Sequence, residues 1–312
     1  MLQEPEAFQC ESRAMTQIME LVDLYASSPL GLPILVTGEP GTGKTFLARR
    51  LHERAYPDTA TSRRPAPFVS VNTAEIQAEH AVSYLFGHSR GAFTGAVGDR
   101  TGALERANGG TLFIDELSNL GAEAQQLLLT SLLSGRFRRM GDDREITVRT
   151  RFVGATNQDP DALVAAGRLR RDLNDRFGYF RIEIPPLRVR REEILPLAKH
   201  YLDWAARGDG RGRCYFLSGA AEQLVLRYSW PGNLRELWLA CAAATVHARG
   251  ELIDAPHFPA NCRSGLARAA VSDGAVAEAL EQTSGNKTRT AELLGVSRRT
   301  IQRRSGRKVA GE

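Results

Sequence analysis

From about Ser27 to Gly250, short apolar runs alternate with longer stretches of helical spacing. Residues 32–37 (LPILVT), 67–72 (PFVSVN), 110–115 (GTLFID) and 150–157 (TRFVGATN) are brief β-branched or aromatic runs. Each lies between helix-length segments, and strands alternating with helices predict a parallel sheet covered on both faces. Residues 181–184 (RIEI) form one more strand candidate, stopped by Pro185 and Pro186. Beyond Pro186 the period changes. Residues 191–206, 218–228 and 233–249 carry helical spacing, the last of them after the stop WPG at 230–232. Residues 253–272 mix Pro, Ala, Gly and Ser without a period and read as a linker. The expected division is therefore an α/β unit over 1–186, a helical unit over 187–252, a linker over 253–272 and a small helical domain over 273–312.

Composition adds exclusions. The chain has 312 residues, 42% of them hydrophobic and 25% charged, with a net charge of +5. That balance permits an anionic partner without requiring one. No run of roughly 18 apolar residues exists to span a membrane, and the acidic start MLQEPEAFQCE lacks the apolar core of a secretory signal. Cys10, Cys214, Cys241 and Cys262 are widely spread with no CxxC pair, which reads as reduced thiols of a cytoplasmic protein. The six histidines are scattered, and no Ser/His/Asp or Cys/His arrangement has a recognisable local signature.

The most specific chemistry sits in Gly38-Glu39-Pro40-Gly41-Thr42-Gly43-Lys44-Thr45, which matches GxxxxGK[ST]. It follows a strand and opens a helix. The glycines let backbone N–H groups wrap phosphate oxygens, and the helix N-terminus adds positive potential. Lys44 is placed to reach the β- and γ-phosphates of ATP, and the Thr45 hydroxyl to bind Mg²⁺. About seventy residues later, GGTLFIDE ends an apolar strand in Asp115 and Glu116. The first carboxylate can hold the Mg²⁺ shell and the second can polarise a water for attack on the γ-phosphate. Hydrolysis is then a better reading than binding alone.

Those two motifs, ATN (155–157) and WPGNLREL (230–237) resemble AAA+ ATPases. Gly91-Ala92-Phe93-Thr94-Gly95-Ala96, inside YLFGHSRGAFTGA, narrows the resemblance to the sigma-54-dependent transcriptional activators, or bacterial enhancer-binding proteins. The likeness covers roughly residues 8–250, and the C-terminus resembles the Fis-type helix-turn-helix of the same family. It implies an AAA+ P-loop core with a helical lid, followed by an all-α DNA-binding domain. It also implies a GAFTGA tip, chiefly Phe93 and Thr94, that touches sigma-54 in the RNA polymerase holoenzyme and turns closed promoter complexes into open ones. Asn72 matches the asparagine coupled to Glu116. Thr156 and Asn157 match a sensor near the γ-phosphate, and Arg235 a second sensor in the lid. Arg170 and Arg176 match arginines supplied to a neighbouring subunit's nucleotide, with Arg168 and Arg171 as competitors. Catalysis then needs a ring, a homohexamer or one mixed with a paralogue. Two departures stand out: Thr45 replaces a frequent Glu, and GHSR replaces the commoner GHEK.

Residues 287–312 hold eight Lys or Arg against two Glu, a local +6 that exceeds the excess of the whole chain. Gly285-Asn286 stops one helix, Lys287–Leu294 makes a second, and Gly295 sits at the turn. Ser297 then caps a helix carrying Arg298, Arg299, Thr300, Gln302, Arg303 and Arg304. This is the pattern of a recognition helix for double-stranded DNA, with its N-terminal side chains at base edges and its arginines also on phosphates, and Lys287 is a further DNA-binding candidate. Many members of the resembling family begin with a sensor domain; here the ATPase pattern starts almost at once, so control by a regulatory protein in trans is expected. Two other readings compete. One is a DNA-binding regulator that uses nucleotide only as an assembly or ligand signal. The other is a AAA+ remodeller or protease partner, against which the basic helix-turn-helix counts.

Overall fold

The computed structural model describes residues 12–28, 31–57, 65–208, 214–248, 250–263, 280, 283, 286–293 and 302. Among these, no helix is long and apolar enough to cross a membrane. The chain divides after Pro186 into two compact units.

The first unit opens with α1 (Arg13–Ala26), capped by Ser12, whose hydroxyl accepts the Met15 N–H at 3.1 Å. Then follow β1 (Ile34–Thr37), α2 (Lys44–Ala55), β2 (Phe68–Asn72), α3 (Ala81–Phe86), β3 (Gly87–His88), β4 (Arg100–Thr101), α4 (Ala103–Arg106) and β5 (Thr111–Asp115). The unit continues through α5 (Ala122–Ser134), β6 (Arg136–Arg138), β7 (Glu145–Thr147), β8 (Arg151–Thr156), α6 (Pro160–Ala165), α7 (Arg171–Gly178) and β9 (Arg181–Glu183). Five strands form one parallel sheet in the order β2-β5-β8-β1-β9. β1, most of β5 and all of β8 are buried, the signature of a sheet covered on both faces. One face packs Leu35, Leu112, Ile114 and Phe152 with α3–α5 and α7; the other packs Val36, Phe113 and Val153 with α1 and α2.

The position of β1 decides where chemistry can occur. Its sheet neighbours are β8 and β9, not its sequence neighbour β2. A crevice outside the carboxyl ends of the strands opens at such a switch of order. The phosphate-binding motif, the two acids and Thr156 all lie at those ends.

The second unit holds α8 (Arg191–Gly208), β10 (Phe216–Leu217), α9 (Gly219–Arg227), α10 (Asn233–His247) and β11 (Leu252–Ile253). Pro196 sits in the second turn of α8. The WPGN corner is built by backbone strain: Trp230 and Asn233 adopt φ of 49° and 53°. The Trp230 indole donates to Val225 O at 2.9 Å, and the buried Asn233 side chain accepts the Leu187 N–H at 2.7 Å. Here the expected linker at 253–272 needs correction. Ile253, Phe258 and Cys262 are buried in the core of this unit, so the helical unit runs on to at least Arg263. Their spacing follows no period because a 3-10 turn at Ala255–His257 breaks it.

Beyond it, a helix spans Lys287–Leu293. Asn286 caps it, accepting the N–H groups of Thr288 and Arg289 at 3.1 and 3.2 Å, and Lys287 is exposed. Gln302 is helical and exposed. Ser297, Arg298, Arg299, Thr300, Arg303 and Arg304 lie outside the described residues.

Candidate nucleotide site and loop

The loop after β1 is shaped by three glycines with positive φ: Gly38 at 154°, Gly41 at 77° and Gly43 at 104°. A Cβ on Gly38 would lie 2.8 Å from Ile184 O and 3.0 Å from Thr42 Oγ1, so only glycine fits without displacing the loop. Glu39 O accepts the Thr42 hydroxyl at 2.8 Å. Gly43 caps α2 without any side-chain bond, which leaves the helix's first amides facing the loop. Lys44 is 7% exposed; its ammonium donates to Gly38 O at 2.9 Å and Glu39 O at 3.2 Å. Pro40 and Thr45 are exposed, the latter in the first turn of α2.

Parallel pairing brings the other groups alongside. Thr37 pairs with Thr156, and the Gly38 N–H donates to Thr156 O at 3.3 Å. Asn72 pairs with Asp115 across β2 and β5. Glu116 has φ 56° and ψ 53°, a left-handed conformation unusual for a residue with a Cβ. Its carboxylate feels the backbone N–H of Asn157 and the charges of Lys44, Asp115 and Arg168. Burial raises its pKa above the ordinary 4.5, with Asp115 adding to the rise while Lys44, the Asn157 N–H and Arg168 oppose it. The Asn157 side-chain oxygen is buried with no partner. An amide oxygen left so beside Glu116 fits a site built for a further polar group. Thr45 and Asp115 are hard oxygen donors, the set that suits Mg²⁺.

Several expected residues are engaged otherwise. The Asn72 amide donates to Glu75 Oε1 at 2.7 Å, and its oxygen accepts the Ala74 N–H at 3.1 Å. The direct bond to Glu116 implied by the resemblance is therefore not made; the side chain is used to close a 3-10 turn. Arg170 forks onto Asp172 at 3.0 and 2.8 Å. That pair is substantially exposed. Arg176 is exposed on α7, and Arg168 donates to Gln158 at 3.0 Å. Arg235 lies on the exposed side of α10 in the second unit. Thr73 was not singled out by the sequence, although it directly follows Asn72.

The GAFTGA segment is a closed loop at the end of the short β3–β4 ladder. The Gly91 N–H donates to Ala96 O at 2.9 Å, and the Ala96 N–H to Phe93 O at 3.0 Å. Positive φ at Gly91 (83°) and Gly95 (103°) makes that closure possible. Ala92 is half-buried and Ala96 buried, while Phe93, Thr94 and the adjacent Val97 are exposed. His88 braces the aromatic: its ring meets Phe93 edge-on at 5.0 Å, and its Nδ1 is 2.7 Å from the hydroxyl of buried Ser83. The β6–β7 hairpin supports the loop from the side. The Ser89 N–H donates to Met140 O at 2.9 Å, and a Cβ on Gly141 would strike the Ala92 methyl at 2.7 Å.

Three family models match the chain. Residues 8–183 match the sigma-54 interaction domain, 188–274 the AAA+ ATPase lid domain, and 270–304 the Fis family of bacterial regulatory proteins. The chain belongs to the sigma-54-dependent transcriptional activators. It is 37% identical over 306 residues to the transcriptional regulatory protein ZraR of Klebsiella oxytoca, covering 93% of this chain and 66% of that one. With the DNA-binding transcriptional regulator NtrC of Salmonella typhimurium it shares 35% identity, covering 94% of this chain and 68% of the relative. For the anaerobic nitric oxide reductase transcription regulator NorR of Escherichia coli O157:H7 the figures are 40%, 79% and 48%. The chain thus spans between about half and two thirds of the length of these relatives. Among solved structures, NtrX from Brucella abortus in complex with ADP superimposes with a TM-score of 0.72 at 28% identity, over 95% of this chain and 68% of that one.

Proposed function

We infer that the chain is an ATP-hydrolysing activator that remodels sigma-54 RNA polymerase from closed to open promoter complexes. The observation that carries the reading is the convergence of Lys44, Asp115, Glu116 and Asn157 at neighbouring strand ends, in one unit with an exposed GAFTGA tip. NtrX binds ADP, and another structure of it holds ATP, which supports the same ligands here. The loop of residues 38–43 wraps the phosphates, and Lys44 leaves its carbonyl partners to balance their charge. Thr45 and Asp115 would hold Mg²⁺, which when bound neutralises charge developing on the phosphate oxygens. Glu116 orients the attacking water and takes its proton. Asn157 offers its buried, unpartnered amide oxygen to that water. Arg170 and Arg176 act on the nucleotide of a neighbouring subunit, which requires a ring; Arg170 must then exchange Asp172 for a phosphate. Asn72 acts on Glu116 only after leaving Glu75, and Arg235 senses nucleotide from the lid.

In this reading Phe93 and Thr94 are the contact with sigma-54, and residues 273–312 bind upstream double-stranded DNA through Lys287 and the 297–304 arginines. The test is a separation of activities. Thr94→Ala should hydrolyse ATP at the wild-type rate and fail to open a sigma-54 promoter, whereas Lys44→Ala should lose both. Promoter opening by Thr94→Ala would remove the loop from the sigma-54 contact. Loss of hydrolysis in Thr94→Ala would refute the division of labour.

A further inference from the structure

Glu116 holds a backbone conformation that costs about 1 kcal/mol for a residue with a Cβ and that persists only where surroundings over-determine it. Its own N–H donates to Asp115 Oδ1 at 3.1 Å, and its carbonyl accepts the Asn119 N–H at 2.9 Å. The third restraint crosses from the neighbouring strand. Thr73 is 4% exposed, and its hydroxyl lies 2.6 Å from Glu116 O and 3.0 Å from Asp115 O. A hydroxyl has one proton, so this is a three-centre bond weighted toward Glu116. The contact follows from register. Asn72 and Asp115 are partners at the last rung of β2 and β5, so the residues that follow, Thr73 and Glu116, leave the sheet side by side. Meanwhile Asn72 and Glu75 close the turn that aims Thr73 inward.

We propose that Thr73 is a positioning residue for hydrolysis, fixing the left-handed turn at Glu116 so that its carboxylate is aimed at the attacking water. The proposal rests on Glu116 being the group that activates water. It differs from a direct asparagine coupling, because the link runs through the backbone carbonyl and not through the carboxylate. Any shift of the 72–75 turn therefore reaches Glu116 through the Thr73 hydroxyl. Nucleotide affinity is set elsewhere, by the loop of residues 38–45, and should not respond.

The experiment compares Thr73→Val, Thr73→Cys and Thr73→Ser in the full chain. ATP turnover and the Kd of a fluorescent ATP analogue are measured for each, with a melting curve to establish folding. Valine keeps the shape and removes the hydroxyl, and is expected to lower kcat about tenfold with Kd within about twofold. Serine keeps the hydroxyl and is expected to hold the wild-type kcat. Should the valine variant not fold, cysteine, a weak donor of similar size, is expected to show the same loss. A folded Thr73→Val or Thr73→Cys with the wild-type kcat overturns the proposal. So does a Thr73→Ser loss as large as that of Thr73→Val, or a fall in affinity that accounts for the lost rate. Glu116→Gln is run alongside. Its wild-type turnover would remove the role of Glu116 and with it that of Thr73, whereas loss in Glu116→Gln with full rate in Thr73→Val refutes Thr73 alone.

Discussion

Gly38→Ala is the sharpest perturbation of the nucleotide loop. The added methyl would lie 2.8 Å from Ile184 O and 3.0 Å from Thr42 Oγ1. The carbonyl cannot move freely, because the residue that bears it is tied to the sheet: the Ile184 N–H donates to Thr37 O at 2.8 Å. The loop must therefore give. A φ of 154° is a region that a residue with a Cβ rarely adopts, and leaving it costs the Gly38 N–H its bond to Thr156 O. Strain of about 1–2 kcal/mol from the backbone and ~1 kcal/mol or more from the contact together exceed about 2 kcal/mol. Displaced loop amides pass that cost to nucleotide binding, so the Kd for ATP should rise at least about thirtyfold. The fold should survive, since the loop contributes no large apolar side chain to the core. Gly121→Ala is the control, for its Cβ meets nothing within 4 Å. Titration of each variant with a fluorescent ATP analogue, beside a melting curve, gives the readout. An unchanged Kd in Gly38→Ala, or an equal weakening in Gly121→Ala, would refute the reasoning.

Other expectations concern single groups. Glu116 works as a base only when ionised and its pKa is raised by burial, so kcat should climb with pH through a midpoint above 4.5; a midpoint at or below that value would contradict the site. Burial lifts the Cys262 thiol to about 11 and pushes Cys241 up further, whereas Cys214 is exposed; alkylation of native protein at pH 8 should label Cys214 and spare the other two by mass spectrometry. Mixing Glu116→Gln with Arg176→Ala subunits should restore ATP turnover, because the first supplies an arginine to the second; no recovery at any ratio would argue against action in trans. Deleting residues 273–312 should abolish footprints on upstream DNA while hydrolysis continues, and a retained footprint would place DNA binding elsewhere.

What could be read from the sequence was contiguous. GxxxxGKT carries its own context, and each apolar run that precedes a motif became a strand of the sheet. The strand ends at Thr37, Asp115 and Thr156 put the motifs together because parallel pairing aligns them. What could not be read depends on contacts between distant segments. Nothing near Gly141 announces that its hairpin touches Ala92, about fifty residues earlier in the chain. Asn72 was assigned by resemblance to Glu116, but a carboxylate three residues on competes for its amide in this structure. Arg170 likewise finds Asp172 two residues along the chain. Both partners lie two or three residues along the chain, within reach of a single turn. The end of the helical unit is hidden in the sequence because Ile253, Phe258 and Cys262 enter the core from a segment without regular spacing.

The central claim is that hydrolysis, not nucleotide occupancy, drives promoter opening. The most direct measurement is open-complex formation at a sigma-54 promoter with the purified chain and sigma-54 holoenzyme, comparing ATP with a non-hydrolysable analogue. Strand opening detected with ATP and absent with the analogue is the predicted result. Equal opening with both would show that nucleotide serves only as an assembly signal and would contradict the account.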